Sequence, residues 1–203
     1  ASLSTRFGAR MGDTKMIDMM VGALHDPFHN IHMGVTAENV AAKYGITREM
    51  QDALAVESHN RAQRAVEGGR FKDQIVPVML KSRKGEVSWA TDEHFRPDCK
   101  PEDMAKLKPV FVKENGTVTA GNASGINDAA AAVVLMEAGA AKARGAKAMA
   151  RLVGYAHTGL DPKIMGVGPI SATHAVLKKT GLSVNDLDVI EANEAFAAQA
   201  CAV

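Results

Sequence analysis

The sequence is poor in cysteine and contains no long apolar run. Of its 203 residues only Cys99 and Cys201 are cysteines, and they form no CxxC pair. Such sparse usage gives no support to a CxxC-type zinc site or to a disulfide-rich secreted domain. No stretch reaches the roughly 18 apolar residues that a membrane helix needs, and no cationic start with an apolar core marks a secretion signal. We therefore expect a cytoplasmic protein with no membrane segment.

The chain also lacks an excess of either charge. Lys and Arg total 24 against 23 Asp and Glu, which gives a net charge of +1. Because nucleic-acid-binding domains usually carry a clear basic excess, we expect no nucleic-acid partner. His157 and His174 have no further metal-ligating residues at a suitable spacing, so we expect no metal site.

Both ends of the chain resemble internal positions of a longer polypeptide. The sequence starts at Ala1 without an initiator Met, and its last residues lie inside a predicted helix that has no C-terminal cap. We therefore expect a piece of a longer protein, whose targeting signals would lie outside these residues.

The apolar pattern divides the chain near residue 116. Before this point the predicted elements are helices over 11–25, 34–44 and 47–67, strands over 75–80 and 87–89, and a short helix over 101–107. Thr36 and Thr47 are the predicted N-caps of the second and third helices. The mixture predicts a helical region with one β-hairpin.

After residue 116 strands and helices alternate, which indicates an α/β domain. The predicted strands are 129–136, 150–154 and 186–191, and the predicted helices are 138–144, 169–179 and 195–202. Residues 129–136 are apolar throughout, so we expect this strand to be buried on both faces.

Two motifs in the first 125 residues contain residue types that could contact a ligand. Ile31-His32-Met33-Gly34, which leads into Thr36-Ala37-Glu38-Asn39, stands at a loop-to-helix junction, where a histidine can donate a hydrogen bond to a ligand. For this motif alone, a packed histidine bonded to a backbone carbonyl is the favoured alternative. Residues 119–125 (Thr-Ala-Gly-Asn-Ala-Ser-Gly) are mostly small, which suits either close approach to a ligand or a tight structural turn.

Two further motifs lie later in the chain. Asn193-Glu194-Ala195-Phe196-Ala197 stands where a predicted strand meets a predicted helix, which is where α/β sheets place their sites. Asn193 could donate towards a developing oxyanion, whereas Glu194 could simply complement a helix dipole. The placement favours a functional site. The loop 165–169 (Met-Gly-Val-Gly-Pro) is uninformative by itself.

In order and spacing, these four motifs together resemble the signatures of the thiolase family. They are most similar to those of the bacterial biosynthetic thiolases, the acetyl-CoA acetyltransferases and β-ketothiolases. The resemblance implies an α/β, thiolase-like fold with two βαβαβαββ halves and a loop domain inserted in the first. On that pattern residues 1–116 are the loop domain with the end of the N-terminal half, 117–147 return to that half, and 148–203 begin the C-terminal half.

The resemblance also implies an activity, a ping-pong acyl transfer through a cysteine thiolate. It would condense two acetyl-CoA to acetoacetyl-CoA, or cleave short 3-ketoacyl-CoA with CoA. The coenzyme A thioesters are substrates, and no separate cofactor is implied. Asn193 matches a family asparagine that holds a water in an oxyanion hole. The positions that match coenzyme A or acyl contacts are Leu24, His32, Met33, Arg96, Phe111, Ala120, Ser124, Met165 and Phe196.

The family's reactive residues fall outside the sequence. Its nucleophilic cysteine belongs to a C-x-S segment before this chain, and its Gly-His-Pro histidine and C-x-G cysteine follow it. We therefore expect the 203-residue chain alone to be inactive. The alternative is a non-catalytic coenzyme A-binding or assembly module derived from a thiolase. Family members are commonly homotetramers and act in fatty acid metabolism and polyhydroxyalkanoate biosynthesis, which we expect here for the complete chain.

Overall fold

The computed structural model describes residues 8–9, 11–83 and 85–203, which form two compact units. The first contains the described residues up to Ser124 together with Asp161–Val167 and Ala192–Val203. The second contains Gly125–Leu160 and Gly168–Glu191. The thiolase division at residues 116 and 147 stays a prediction.

Seven α-helices and one hairpin make up the regular structure of the described residues. In chain order they are α1 (Met19–Ala23), α2 (Met33–Tyr44), α3 (Arg48–Glu67), β1 (Val78–Ser82), β2 (Gly85–Trp89), α4 (Pro101–Ala105), α5 (Ala138–Ala143), α6 (Gly168–Thr180) and α7 (Ala197–Ala202). Two 3-10 segments, Pro162–Val167 and Val184–Asp186, complete the set. Every predicted helix is therefore represented, with ends that shift by a few residues except in the first.

The third helix forms as its sequence predicts. Thr47 caps α3, and its hydroxyl accepts a hydrogen bond from the Met50 N–H at 3.3 Å. Gly68 ends the helix, and Gly69 follows with φ +71°, a conformation that glycine adopts without strain. The local signals at both ends were sufficient to define this element.

The N-cap predicted for α2 was wrong. His32, not Thr36, caps the helix, and its ring Nδ1 accepts a hydrogen bond from the Gly34 N–H at 3.0 Å. Thr36 lies inside the first turn, where its hydroxyl donates to the Met33 carbonyl oxygen at 2.6 Å. Once that hydroxyl is bonded within the helix, Thr36 can be buried, and it is.

The main core lies between α2, α7 and the strand-like segment around Val118. Its buried residues are Ala37, Ala41, Ile46, Val118 and Ala198. Alanines on both helices allow their axes to approach closely, which brings the end of the chain against its first long helix. A smaller cluster of Ala55, Cys99 and Met104 joins α3 to α4.

The hairpin β1–β2 is antiparallel, as predicted. Val78 pairs with Trp89 and Ser82 with Gly85, and Gly85 takes the turn with φ +116°. The strand side chains are exposed on both faces. The hairpin is therefore held by its backbone ladder and does not take part in the described core.

The first predicted helix is much shorter than expected. Of residues 11–25 only α1 is helical, and Asp18 caps it by accepting from the Val21 N–H at 2.9 Å. On the predicted apolar face Met16 is 76% exposed, and Met20 and Val21 are each 44% exposed. Short helices depend on packing of their apolar face, and these three side chains of the face are exposed.

None of the three strands predicted after residue 116 is formed in the described structure. Residues 129–136 and 150–154 have no regular structure, and 186–191 contain only the end of a 3-10 turn. Val134 is 90% exposed although a doubly buried strand was expected. A strand exists only when a neighbour pairs with its backbone, and the ladder of the described residues is β1–β2 alone.

We expect the cap at Thr47 to contribute measurably to stability. Replacing Thr47 with Ala removes the acceptor for the Met50 N–H and should lower the free energy of unfolding by about 1 kcal/mol. The measurement is urea unfolding of the chain followed by circular dichroism. Thr47→Ser keeps the hydroxyl and should retain most of the stability; equal losses in both variants would argue against the cap.

Candidate functional site

A short loop delivers the first motif to the start of α2. Asp26 is 4% exposed, and its carboxylate accepts from the His29 N–H at 2.6 Å. The Asp26 N–H in turn donates to the Ile31 carbonyl oxygen at 2.8 Å. The Met33 N–H donates to the Leu24 carbonyl oxygen at 2.8 Å, so this loop brings two of the predicted contact residues side by side.

The ring of His32 is fixed by three neighbours. Nδ1 accepts from the Gly34 N–H, the ring stacks on Phe111 with centroids 4.7 Å apart, and His25 meets its edge at 5.2 Å. Burial, and then the nearby charge of His25, lower the pKa of His32. Since Nδ1 is used as an acceptor, the neutral ring carries its proton on Nε2, which can donate to a ligand.

Gly34 permits the close approach of Phe111. A Cβ atom at position 34 would lie 2.2 Å from the Phe111 ring, a distance that no packed structure accepts. Phe111 then meets Phe196 edge-on at 6.2 Å. His32, Phe111 and Phe196 thus form one continuous row, which we call the aromatic row.

Glu38 holds the start of the small-residue motif. Its carboxylate accepts from the Thr117 N–H and hydroxyl and from the Val118 N–H, at 2.8 to 2.9 Å. One side chain of α2 therefore satisfies two backbone donors and a hydroxyl. The entry of the chain into residues 119–124 is set by these bonds.

Asn122 organises the turn itself. Its side-chain oxygen accepts from the Thr119 N–H at 2.8 Å, and its amide donates to Asp52 at 2.9 Å and to the Thr117 carbonyl oxygen at 3.0 Å. Arg48 pairs with the other oxygen of Asp52 at 2.7 Å. These bonds make the start of the motif a tight turn.

The turn is joined directly to the fourth motif. Ser124 N–H donates to the Ala195 carbonyl oxygen at 3.0 Å, and Ala197 N–H donates to the Asn122 carbonyl oxygen at 2.9 Å. Glu194 lies before the first residue of α7, and its carboxylate accepts from the Ser58 hydroxyl at 2.7 Å. Its partner is therefore a side chain of α3.

A cavity of about 230 Å³ lies beside this junction. Its polar lining comes from Ser58, His59, His94, Asn122, Ser124 and Glu194. His59 Nδ1 accepts from the Arg96 N–H at 3.1 Å. Burial, followed by the charges of His94 and Arg96, lowers the pKa of His59 against the opposing effect of Glu194.

The structure brings together some of the predicted site residues and not others. Backbone bonds and ring contacts link Leu24, Met33, His32, Phe111, Phe196 and Ser124 into one region. Within the described residues, no hydrogen bond or ring contact links Arg96, Ala120, Met165 or Asn193 to it. Arg96 lies beside His59, Met165 lies in a 3-10 segment that packs on α2, and Ala120 and Asn193 are exposed.

Sequence reasoning missed the polar side chains that support the site. Glu38 stood inside a recognised motif, but no role was assigned to it. Arg48 and Asp52 carry the i, i+4 spacing of a helical ion pair, which could have been noticed. Ser58 has no such signal, because its partner lies 136 residues away.

Neither cysteine is an activated nucleophile. Burial raises the pKa of the Cys99 thiol, and Asp103 adds to the effect. Burial, with Glu194 nearby, likewise raises the pKa of Cys201. A reactive cysteine needs a lowered pKa, so neither thiol is suited to attack a thioester.

Comparison with known proteins identifies the family. The model described as thiolase, N-terminal domain, matches residues 1–139, and the model described as thiolase, C-terminal domain, matches residues 146–203. The chain belongs to the thiolase family. Two of the four motifs lie within residues 1–139 and the other two within residues 146–203, so each family match contains two of them.

Solved thiolases share the fold. The acetyl-CoA acetyltransferase of Bacillus anthracis superposes with a TM-score of 0.85 at 50% identity and covers 97% of this chain. The human mitochondrial 3-ketoacyl-CoA thiolase superposes with a TM-score of 0.84 at 41% identity over 100% of it. The predicted thiolase-like α/β fold, in partial form, is therefore confirmed.

Close relatives in sequence are bacterial. The β-ketothiolase BktB of Cupriavidus necator is 67% identical over 98% of this chain, and the acetyl-CoA acetyltransferase of Shinella zoogloeoides is 53% identical over 97%. The matches cover 51% and 50% of those proteins. This thiolase chain thus spans about half the length of the curated relatives it matches.

The described residues contain no group of three or more His, Cys, Asp or Glu side chains placed to hold a metal ion. No helix among them is both long and apolar enough to cross a membrane.

We expect the stability of the chain to depend on pH through His32. The fold lowers the pKa of His32 from 6.5, so the unfolded chain binds the proton more tightly. Its contribution to stability is therefore present above pH 6.5 and is lost as the pH falls through the folded pKa. Urea unfolding at several pH values above and below 6.5 should show this decline in the free energy of unfolding.

Two variants separate His32 from the other histidines. His32→Asn can still cap α2 but does not titrate, so its stability should change less with pH. His174→Asn removes an exposed histidine of α6 and serves as the control. A pH dependence that His32→Asn leaves unaltered would contradict the assignment.

We expect Asn122 to be among the most sensitive positions. Asn122→Ala removes three hydrogen bonds and leaves Asp52 with Arg48 as its remaining partner. Loss of partners for buried polar groups should cost about 2–3 kcal/mol of unfolding free energy. The exposed Asn185 provides the matched control, and an Asn185→Ala loss of equal size would refute the network.

Proposed function

We propose that this chain supplies half of a thiolase that condenses two acetyl-CoA to acetoacetyl-CoA, or cleaves short 3-ketoacyl-CoA with CoA. The relatives named β-ketothiolase and acetyl-CoA acetyltransferase support this activity. The chain contributes substrate-binding surface and one oxyanion-hole residue, while the nucleophile and the proton-transferring residues belong to the rest of the enzyme.

The observation that carries the proposal is the convergence of distant motifs. The first motif supplies His32, the second supplies Ser124, and the fourth supplies Phe196. Phe111 connects His32 to Phe196 through ring contacts, and the Ala123–Phe196 bridge connects the second motif to the fourth. Residues far apart in the sequence are thus gathered around one apolar surface that also offers hydrogen-bond donors.

The chemistry of this surface suits an acyl-CoA thioester. The neutral His32 offers an Nε2 donor, and Ser124 offers a hydroxyl for the amides of the pantetheine arm. Leu24, Met33, Phe111, Met165 and Phe196 would form the apolar wall along the arm and acyl group. Arg96 suits a phosphate of the nucleotide end because a guanidinium can bind phosphate through two donors, and Ala120 allows the arm to approach the backbone.

Asn193 would act at the reacting centre. Its side-chain amide would hold a water whose hydrogen points at the thioester oxygen. Negative charge develops on that oxygen when the acetyl group is deprotonated, and a fixed donor stabilises it.

The finer features of the proposal rest on the family resemblance. We propose acetoacetyl-CoA and other short 3-ketoacyl-CoA as substrates, a homotetramer as the assembly, and the cytoplasm as the location. The metabolic roles would be fatty acid metabolism and polyhydroxyalkanoate biosynthesis.

Thiolysis of acetoacetyl-CoA tests the proposal directly. The 203-residue chain alone should show no CoA-dependent cleavage, since both of its cysteines have raised pKa values. A chimera in which this chain replaces the matching segment of Cupriavidus necator BktB, at 67% identity, should be active. The measurement is the loss of acetoacetyl-CoA absorbance.

The controls distinguish the two interpretations. Unaltered BktB provides the positive control, and the chimera without its nucleophilic cysteine provides the negative one. Turnover by the chain alone would contradict the division of roles. A folded chimera that binds coenzyme A without turnover would support the non-catalytic binding module instead.

A further inference from the structure

Ser58 lies in none of the four motifs but makes a hydrogen bond to a residue distant in the sequence. It lies on α3, and its hydroxyl donates to a Glu194 carboxylate oxygen at 2.7 Å across 136 residues of sequence. Hydrogen bonds to an ionised acceptor are stronger than those between neutral groups. The bond therefore ties the longest helix to the residue that follows Asn193.

The backbone around Asn193 has hydrogen-bond partners on one side within the described residues. On its C-terminal side, Ser124 binds the Ala195 carbonyl oxygen and Ala197 binds the Asn122 carbonyl oxygen. On the other side, within the described residues, no hydrogen bond reaches residues 191–193. In the part of the chain that the structure describes, Asn193 thus lies between a backbone segment with hydrogen-bond partners and one without them. The Ser58–Glu194 hydrogen bond forms at that boundary.

The Ser58–Glu194 hydrogen bond also fixes the position of the Glu194 carboxylate. Glu194 and Ser58 line the same cavity, and the bond turns the carboxylate towards α3. A released carboxylate beside Asn193 is an acceptor that can compete for the Asn193 side-chain N–H groups. Those donors are the ones that an oxyanion-hole water would require.

We propose that Ser58 is a positioning residue for Asn193. By holding the Glu194 carboxylate against α3, it fixes the backbone of the oxyanion-hole asparagine and keeps the neighbouring charge away from its amide. This inference rests on the proposed thiolase function, and it adds a residue of the helical region to the machinery of the reaction.

Kinetics of the BktB chimera test the role. Ser58→Ala should lower kcat about tenfold, equivalent to about 1.4 kcal/mol in the barrier, with KM for CoA nearly unchanged. Ser58→Thr keeps the hydroxyl and should restore most of kcat. Glu57→Ala is the matched control, because Glu57 pairs only with Arg61 and Arg64 of its own helix among the described residues, and its kcat should not change.

A double-mutant cycle identifies the route of the effect. If Ser58 acts through Glu194, the double variant Ser58→Ala/Glu194→Ala should be no slower than the slower single variant. Losses that multiply in the double variant would overturn the inference. So would full kcat in Ser58→Ala, or a loss confined to KM.

A measurement without turnover completes the test. Backbone 15N order parameters of Asn193 and Glu194 in the chain should fall in Ser58→Ala and stay unchanged in Glu57→Ala. Unchanged order at both residues would overturn the inference even if the chimera is active. An inactive chimera with Ser58 in place would instead count against the proposed function, and the order parameters would then decide the role of Ser58.

Discussion

The hydrogen bonds of Asn122 are the constraint on which the rest of the site depends. Its side chain binds Asp52 of α3 and the turn backbone, while its carbonyl oxygen accepts from the Ala197 N–H at the start of α7. Because Arg48 holds the other oxygen of Asp52, every oxygen of this buried carboxylate has a partner. A satisfied buried network fixes one arrangement of its members, and here it sets the position of Ser124 and Phe196.

The residues that support the site are different from those that keep donors available for a substrate. Glu38, Asp52 and Asn122 are engaged with backbone and with one another, so they have little capacity left for a substrate. His32, Ser124 and Asn193 keep donors that are not used within the described chain. This division matches what a catalytic surface requires, since its groups must be held in place by neighbours that do not themselves react.

Prediction from the sequence succeeded where the signal was local. The cap at Thr47, the helix over 47–67, the β-hairpin and the helix over 169–179 each depend on signals from a few consecutive residues. It failed at residues 129–136, where the apolar run was correctly seen but no pairing strand is present among the described residues. It also failed at Thr36, because His32 is the residue that caps α2, and its ring is held against Phe111 by a contact distant in the sequence.

The sequence by itself determined the family and the types of residue at the site, because four motifs in a fixed order carry that information over the whole chain. The tertiary structure decided which of these residues meet. It showed that His32, Phe111 and Phe196 form one row, and that residues 119–124 are a turn held by Glu38 and Asp52. It alone revealed the Ser58–Glu194 bond, because contacts across 136 residues depend on packing and leave no local pattern in the sequence.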